Sequence, residues 1–332
     1  MTEPILKLEG LKKYFESTSG GIFNKKKGIV KAVDGIDLEI MPGQTVGLVG
    51  ESGCGKTTVG RTVLKLYEPT EGTITFNGQD ITHLSAHEMK PIRAQMQMIF
   101  QDPYASLNPR HTVGTLIGAT FEIQGITPEG GIKQEVERLM ERVGLNPEHV
   151  NRYPHEFSGG QRQRIGVARA IALKPKLIVA DEPVSALDVS IQAQVVNLLD
   201  DLQEEFDLSY LFVAHDLSVV QHISDRVVVM YLGKIMEDAN KHDLFRAPRH
   251  PYTKALLSAV PVPDPKKSRA REKIILQGDL PSPMNPPAGC VFNTRCWKVQ
   301  EQCRVEVPPL LQIGNVQMGN GHRLACHFPE PA

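Results

Sequence analysis

The first 289 residues of this chain hold a single cysteine, Cys54. The other four, Cys290, Cys296, Cys303 and Cys326, all fall in the last 43. In a reducing compartment such crowding points to a metal site before disulfides. Excess charge is also lacking. Lys and Arg total 37, Asp and Glu 38, and the net charge is −1. That balance gives no electrostatic reason to expect nucleic acid as a partner. No apolar run reaches the length of a membrane span, and Met1-Thr2-Glu3-Pro4 opens no signal peptide. The expectation is a cytosolic chain whose membrane role comes through a partner. What is present is the composition of a soluble globular protein, 41% hydrophobic and 23% charged. At 332 residues it is long enough for one large domain and a smaller one.

The stretch that organises the rest is Gly50-Glu51-Ser52-Gly53-Cys54-Gly55-Lys56-Thr57-Thr58. It follows the apolar run Thr45 to Val49, a buried strand, and precedes Val59 to Leu66, a helix. Gly50, Gly55, Lys56 and Thr57 fit G-x-x-x-x-G-K-[ST], a phosphate-binding loop in the required context. Glycines let the backbone curl so that N–H groups converge on an anion, and the helix N-terminus adds partial positive charge. Lys56 can reach the β- and γ-phosphates, and the Thr57 hydroxyl can hold Mg²⁺. Cys54 reads as a small loop residue rather than a redox switch.

Around this loop the chain alternates strands and helices. Ile5 to Phe15 reads as an edge strand, and Glu16 to Lys31, with Lys25, Lys26 and Lys27, as a solvated loop. Ala32 to Ile40 alternates like a half-buried strand. Asn77-Gly78 signals a hairpin. Met96 to Phe100 is another apolar strand, ending at Gln101-Asp102-Pro103. Residues 104 to 157 lack strand runs, a helical insertion in a sheet domain, and Lys133 to Val143 is spaced for one apolar face. Ser158 is a candidate N-cap for the run that follows. Leu177 to Ala180 and Tyr210 to Ala214 read as buried parallel strands. The first ends in Asp181-Glu182 and the second in His215, the strand ends where α/β sheets place ligands. A strand–turn–strand pattern surrounds Gly233, and Pro251 to Val260 is a final helix. Pro261 to Lys267 reads as a linker, so the domain boundary lies near 260. The fold class is α/β with a mostly parallel sheet.

Taken singly, His215 is a strand-end histidine and Asp181-Glu182 a surface turn. Placed together downstream of a phosphate loop, they read as a nucleotide hydrolase. Asp181 would hold Mg²⁺ through water and Glu182 would polarise the attacking water. Ser158-Gly159-Gly160-Gln161 followed by Arg162-Gln163-Arg164 resembles the signature sequence of ATP-binding cassette (ABC) ATPases. The resemblance covers residues 5 to about 260. It implies a RecA-like parallel-sheet core, an antiparallel β subdomain and a helical subdomain at about 104–160. It also implies two such domains paired head to tail, each signature closing over ATP on the partner's phosphate loop. By the same resemblance Gln101 is the Q-loop glutamine that touches Mg²⁺, Asp181 and Glu182 are the Walker B aspartate and catalytic glutamate, and His215 is the switch histidine. Ser185-Ala186-Leu187-Asp188 resembles the D-loop. Phe15, with Tyr14 as the near alternative, is the aromatic expected on adenine. Phe157 departs from the usual Leu but keeps its apolar character.

Gly50 to Lys56, Phe100 to Arg110, Tyr153-Pro154-His155 and His250-Pro251-Tyr252-Thr253 are similar to the oligopeptide/dipeptide branch of bacterial importers, and Glu182 to Ser190 together with the loop at 16–31 resembles its "F" type subunit. That implies a heterodimer with a "D" type ATPase, two integral-membrane permeases and an extracytoplasmic solute-binding protein. It places the chain on the cytoplasmic face of the cell membrane. Close relatives in this architecture import dipeptides, oligopeptides, glutathione, nickel chelates or sugars. One rival is a soluble ABC protein of translation or repair; such chains carry tandem cassettes or a long coiled-coil insertion, and this one has neither. The other is an ABC exporter ATPase whose membrane domain sits on a separate chain; the 260–332 tail with Pro281 to Cys296 argues for the importer.

The tail, residues 261–332, spaces its cysteines C-x5-C-x6-C-x22-C. Zinc sites favour closer pairs, and four thiolates suit an iron–sulfur cluster. Unliganded thiols, zinc and disulfides stay open beside it. The tail resembles that of importer members carrying a four-iron cluster. Pro281, Pro283, Pro286 and Pro287 fit a segment wrapped without regular structure.

Overall fold

The structure is a computed structural model that describes residues 3–19, 26–260, 273–313 and 321–331. The linker expected at Pro261 to Lys267, and residues 20–25 of the expected loop, lie outside the described residues. In chain order the strands are β1 (Leu6–Ser19), β2 (Lys26–Ile40), β3 (Thr45–Val49), β4 (Glu71–Phe76), β5 (Gln79–Asp80) and β6 (Met96–Ile99). They continue as β7 (Leu177–Asp181), β8 (Ser209–Ala214), β9 (Arg226–Tyr231), β10 (Lys234–Asn240), β11 (Leu311–Ile313) and β12 (His322–Leu324). The chain forms two compact units. One comprises Met1–Leu6, Ile40–Gln44 and Thr75–Val213; the other comprises Lys7–Glu39, Thr45–Ile74 and Ala214–Ala332.

In the first unit β6, β7 and β8 run parallel, with Ile99 beside Ala180 and Asp181 beside Val213. Every residue of β7 is buried, which explains a continuous apolar run rather than an alternating one. Helix Gly159–Ile171 packs on β6, and helices Val113–Gln124 and Ile132–Arg142 pack around it. Helix Ile132–Arg142 turns Val136, Leu139 and Met140 inward, the apolar face read from its spacing. Three arginines of helix Gly159–Ile171 fasten the helical layer. Arg162 donates to the Pro154 carbonyl at 2.6 Å, Arg164 to that of Val143 at 2.7 Å, and Arg169 to that of Ser106 at 2.7 Å. These bonds tie the helix to the chain at 106, 143 and 154. Asn77 and Gly78 both take positive φ in the β4–β5 hairpin, as the Asn-Gly pair requires.

In the second unit the strand order is β3-β9-β10-β12-β11. β3 and β9 are parallel; β9 and β10 form a hairpin through Leu232-Gly233, and β12 pairs antiparallel with β10. The tail is therefore not irregular throughout, since β12 extends the sheet of the cassette and β11 pairs on its outer side. A register shift in β10 between Ile235 and Glu237 turns two adjacent acids, Glu237 and Asp238, into buried surroundings. Both are matched. Glu237 accepts from His322 at 2.7 Å, and Asp238 accepts from Arg226 at 2.7 Å and Arg323 at 2.9 Å. The loop expected at Glu16 to Lys31 is also corrected. β1 runs on to Ser19 and β2 begins at Lys26, so strand occupies most of that stretch.

Candidate functional site

The phosphate loop lies between β3 and helix Lys56–Val63 in the second unit. Gly50, Gly53 and Gly55 all have positive φ. Two of them also have no room for a side chain. A Cβ at Gly50 would come within 2.2 Å of the Met230 carbonyl oxygen, and one at Gly55 within 2.0 Å of that of Ala32. The loop's shape is thus imposed by its neighbours as well as permitted by glycine. Lys56 folds back over the loop and donates to the carbonyls of Gly50 at 2.8 Å and Glu51 at 3.1 Å. Its buried ammonium is thereby fixed at the loop mouth. Ser52 and Gly53 form the exposed rim, and Thr57 and Thr58 open the helix. Burial pushes the Cys54 thiol up, which fits a packing role and not a reactive thiolate. His215 is exposed, and Asp216 beside it caps helix Leu217–Ile223.

In the first unit three of the expected residues meet around one strand end. Asp181 closes β7 and is buried. Glu182 follows with φ of 47°, a left-handed backbone that a non-glycine residue adopts at a cost. Its N–H donates to the Val213 carbonyl at 2.9 Å, and its own carbonyl accepts from the Ser185 hydroxyl at 3.0 Å. These contacts hold the strained turn. Gln101, just after β6, donates through Nε2 to Glu182 Oε2 at 2.9 Å. Residues 81 apart in the chain are therefore joined, and the carboxylate is oriented by the glutamine.

Ser158 caps helix Gly159–Ile171, and Gln161 returns a bond to the Ser158 N–H at 3.0 Å, a full capping box. A Cβ at Gly160 would come within 2.4 Å of Ile191. Asp188 stands at the N-cap of helix Val189–Phe206, exposed and with no side-chain cap bond. Phe157 is buried against His149, consistent with its apolar role.

The two candidate adenine aromatics separate. Tyr14 donates its hydroxyl to Asp34, and its N–H bonds the Thr70 hydroxyl at 2.9 Å. Burial and then the Asp34 bond raise its pKa. Phe15 makes an edge contact with Tyr67, ring centroids 5.3 Å apart, and Lys13 Nζ lies 4.9 Å from its ring centre.

The four tail cysteines are free thiols that line one small cavity, together with His250, Phe292 and His327. Cys290 N–H donates to the Cys303 carbonyl at 2.8 Å. Burial pushes the Cys290 thiol up to about 11 and that of Cys326 up to about 12. Among the described residues no group of three or more His, Cys, Asp or Glu side chains is able, as it stands, to hold a metal ion. Two contacts had no signal in the sequence. Arg295 pairs with Glu51 of the phosphate loop at 2.7 Å, and the Glu51 N–H donates to the Tyr252 hydroxyl at 2.9 Å.

Comparisons with known proteins bear on the family and the fold. The family model described as ABC transporter matches residues 33–185, and that for the oligopeptide/dipeptide transporter C-terminal region matches residues 236–303. The oligopeptide transport ATP-binding protein AppF of Bacillus subtilis is 56% identical across 98% of each chain. The oligopeptide transport ATP-binding protein OppF of Haemophilus influenzae is 52% identical across 92% of this chain and 91% of its own. Among solved structures, the ADP- and Pi-bound dimer of the ATP-binding cassette MJ0796 is 26% identical, with a TM-score of 0.63, over 71% of this chain and 98% of its own. The chain belongs to the ABC transporter ATPases, within the group of oligopeptide transport ATP-binding proteins.

Proposed function

We propose that this chain is the ATP-hydrolysing subunit that powers import of di- and oligopeptides. The observation that carries the reading is the Gln101–Glu182 hydrogen bond beside buried Asp181, in a chain that also holds an obligate-glycine phosphate loop. The loop, residues Gly50 to Thr58, holds the phosphates of ATP, with Phe15 under the adenine. Thr57, Gln101 and Asp181 serve Mg²⁺. Glu182 polarises the attacking water and His215 contacts the γ-phosphate. Ser158, Gly159, Gly160 and Gln161, with Asp188, close over ATP on a second ATPase of "D" type. Two membrane permeases and a solute-binding protein complete the importer, with this subunit on the cytoplasmic face of the membrane. No helix among the described residues is long and apolar enough to cross a membrane. The names of the relatives favour peptides over nickel chelates, glutathione or sugars. Substrate choice lies with the binding protein and permeases.

The thiols of Cys290, Cys296, Cys303 and Cys326 hold a four-iron cluster in this reading. Four thiols on one cavity have the donor chemistry for it, and loading would bring the sulfurs together and strip their protons. Bound there, such a cluster would be held by Cys290, Cys296, Cys303 and Cys326 and would tie together the tail segments that carry them.

Glu182→Gln tests the catalytic assignment. It keeps ATP binding and lowers turnover at least ~10²-fold, the scale of a lost general base. The wild-type chain alone, whose site needs a second cassette, turns over slowly, at a rate that falls further on dilution. Unchanged turnover in the variant removes Glu182 from the role.

A further inference from the structure

The phosphate loop is held by the tail as well as by its own strand and helix. Arg295 directly precedes Cys296 in the tail and reaches back 244 residues to place its guanidinium 2.7 Å from Glu51 Oε2. The Arg295 side chain is only 9% exposed and that of Glu51 27%. This is a partly desolvated pair, not a surface one. Glu51 is clamped from a second side, because its N–H donates to the Tyr252 hydroxyl at 2.9 Å. Tyr252 is fully buried in a ring cluster with Tyr231 and Phe292, their centroids 4.8 to 5.3 Å apart. Phe292 belongs to the same tail segment and lines the cysteine cavity. The carbonyl of Glu51, in turn, accepts from Lys56 at 3.1 Å. Side chain, N–H and carbonyl of one loop residue are therefore tied to the tail, to helix Pro251–Ala259 and to the phosphate-binding lysine.

We infer that Arg295 is a positioning residue for nucleotide binding: by pairing with Glu51 it fixes the first turn of the phosphate loop, and with it Lys56. The phosphate-loop cradle works only if its N–H groups converge before the anion arrives, since ordering the loop at binding costs affinity. Gly50 and Gly53 flank the fixed turn and have the positive φ values of a loop with few intrinsic constraints. An external clamp is what such a loop requires. The ion pair has a second effect: it neutralises a carboxylate that the phosphate loop itself carries, in a site for a highly anionic ligand. Because Arg295 and Cys296 are adjacent, the state of the cysteine pocket and the state of the loop share one short segment.

The inference rests on the reading of Gly50 to Thr58 as the ATP site, and Lys56→Ala is the control for that reading. The experiment measures equilibrium binding of a fluorescent ATP analogue, and ATPase kinetics with the partner ATPase present, for Arg295→Ala, Arg295→Lys, Glu51→Ala and the double variant. Arg295→Ala weakens binding roughly fivefold, the upper end for a partly exposed ion pair. It raises KM by a similar factor and leaves kcat within twofold. Arg295→Lys restores part of the affinity, and the double variant is no worse than the worse single one. Melting temperature is read in parallel without nucleotide. If Arg295→Ala lowers the melting temperature but leaves analogue affinity and KM unchanged, the residue is structural only and the inference falls. Additive losses in the double variant overturn it equally. If Lys56→Ala binds as wild type, the site reading itself is wrong, a result distinct from either.

Discussion

Replacing Glu237 by Gln should loosen the second unit from its tail, and the size of the effect follows from the bonds it makes. Glu237 is completely buried. Its Oε1 accepts from the Arg249 N–H at 2.7 Å and from His322 Nε2 at 2.7 Å, while Oε2 accepts from the His250 N–H at 3.0 Å. Every partner is a donor. A glutamine of the same shape has one oxygen and one NH₂, so in either orientation its NH₂ faces at least one N–H. A buried backbone N–H left without an acceptor costs about 1–3 kcal/mol, and losing the charge weakens the remaining bonds as well. The sum is about 3–5 kcal/mol, the range for breaking a buried pair. Trp297 is the only tryptophan and lies in the tail, so urea unfolding followed by its fluorescence reports on this unit. The midpoint should fall sharply. A loss under about 1 kcal/mol would refute the account of Glu237 as the acceptor that joins β10, β12 and the start of helix Pro251–Ala259. The pH dependence has a fixed sign. Burial raises the pKa of Glu237, but His322 and the backbone donors outweigh it and the net shift is down. Its contribution is therefore complete above the unfolded value of about 4.3 and is lost as pH falls through the lower folded value. Wild type and variant should differ most near neutrality and converge in acid.

Two further outcomes are expected. Phe15→Ala weakens ATP binding by roughly tenfold, the scale of one base–aromatic stack, while Tyr14→Phe shifts it far less; the reverse order would move the platform to Tyr14. Anaerobic purification gives a brown protein with iron and acid-labile sulfide, and Cys303→Ser lowers the iron content; a colourless, metal-free protein from that preparation rules the cluster out.

Local chemistry carried much of the fold into view. The buried runs at β3, β7 and β8 read as strands because both faces of a parallel sheet are covered, and Ser158 read as a cap because its hydroxyl has a backbone N–H to accept from. Asn77-Gly78 announced its hairpin through backbone conformation alone. The extents of β1 and β2 were hidden by composition, since Glu16 to Lys31 is rich in Gly, Ser and Lys and shows no sustained apolar alternation. The strands of the tail were hidden for a related reason. β12 is only three residues long, and beside β10 its His322 hydrogen-bonds, and its Arg323 ion-pairs with, buried acids 85 residues away.

The residue types of the site, glycines for the phosphate loop, acids at a strand end and four clustered thiols, were determined by the sequence itself, because each chemistry admits few side chains at those spacings. Tertiary structure decided which of them meet and what holds them. Gln101 reaches Glu182 only because β6 and β7 are parallel neighbours, and the strained turn at Glu182 is held by Val213 on β8. Tyr14 rather than Phe15 is engaged by Asp34 because β1 and β2 bring the two residues together. Arg295 finds Glu51 across 244 residues of chain. Contacts of that span carry no periodic trace in sequence, since they are selected by the shape of the folded surface and not by the local backbone.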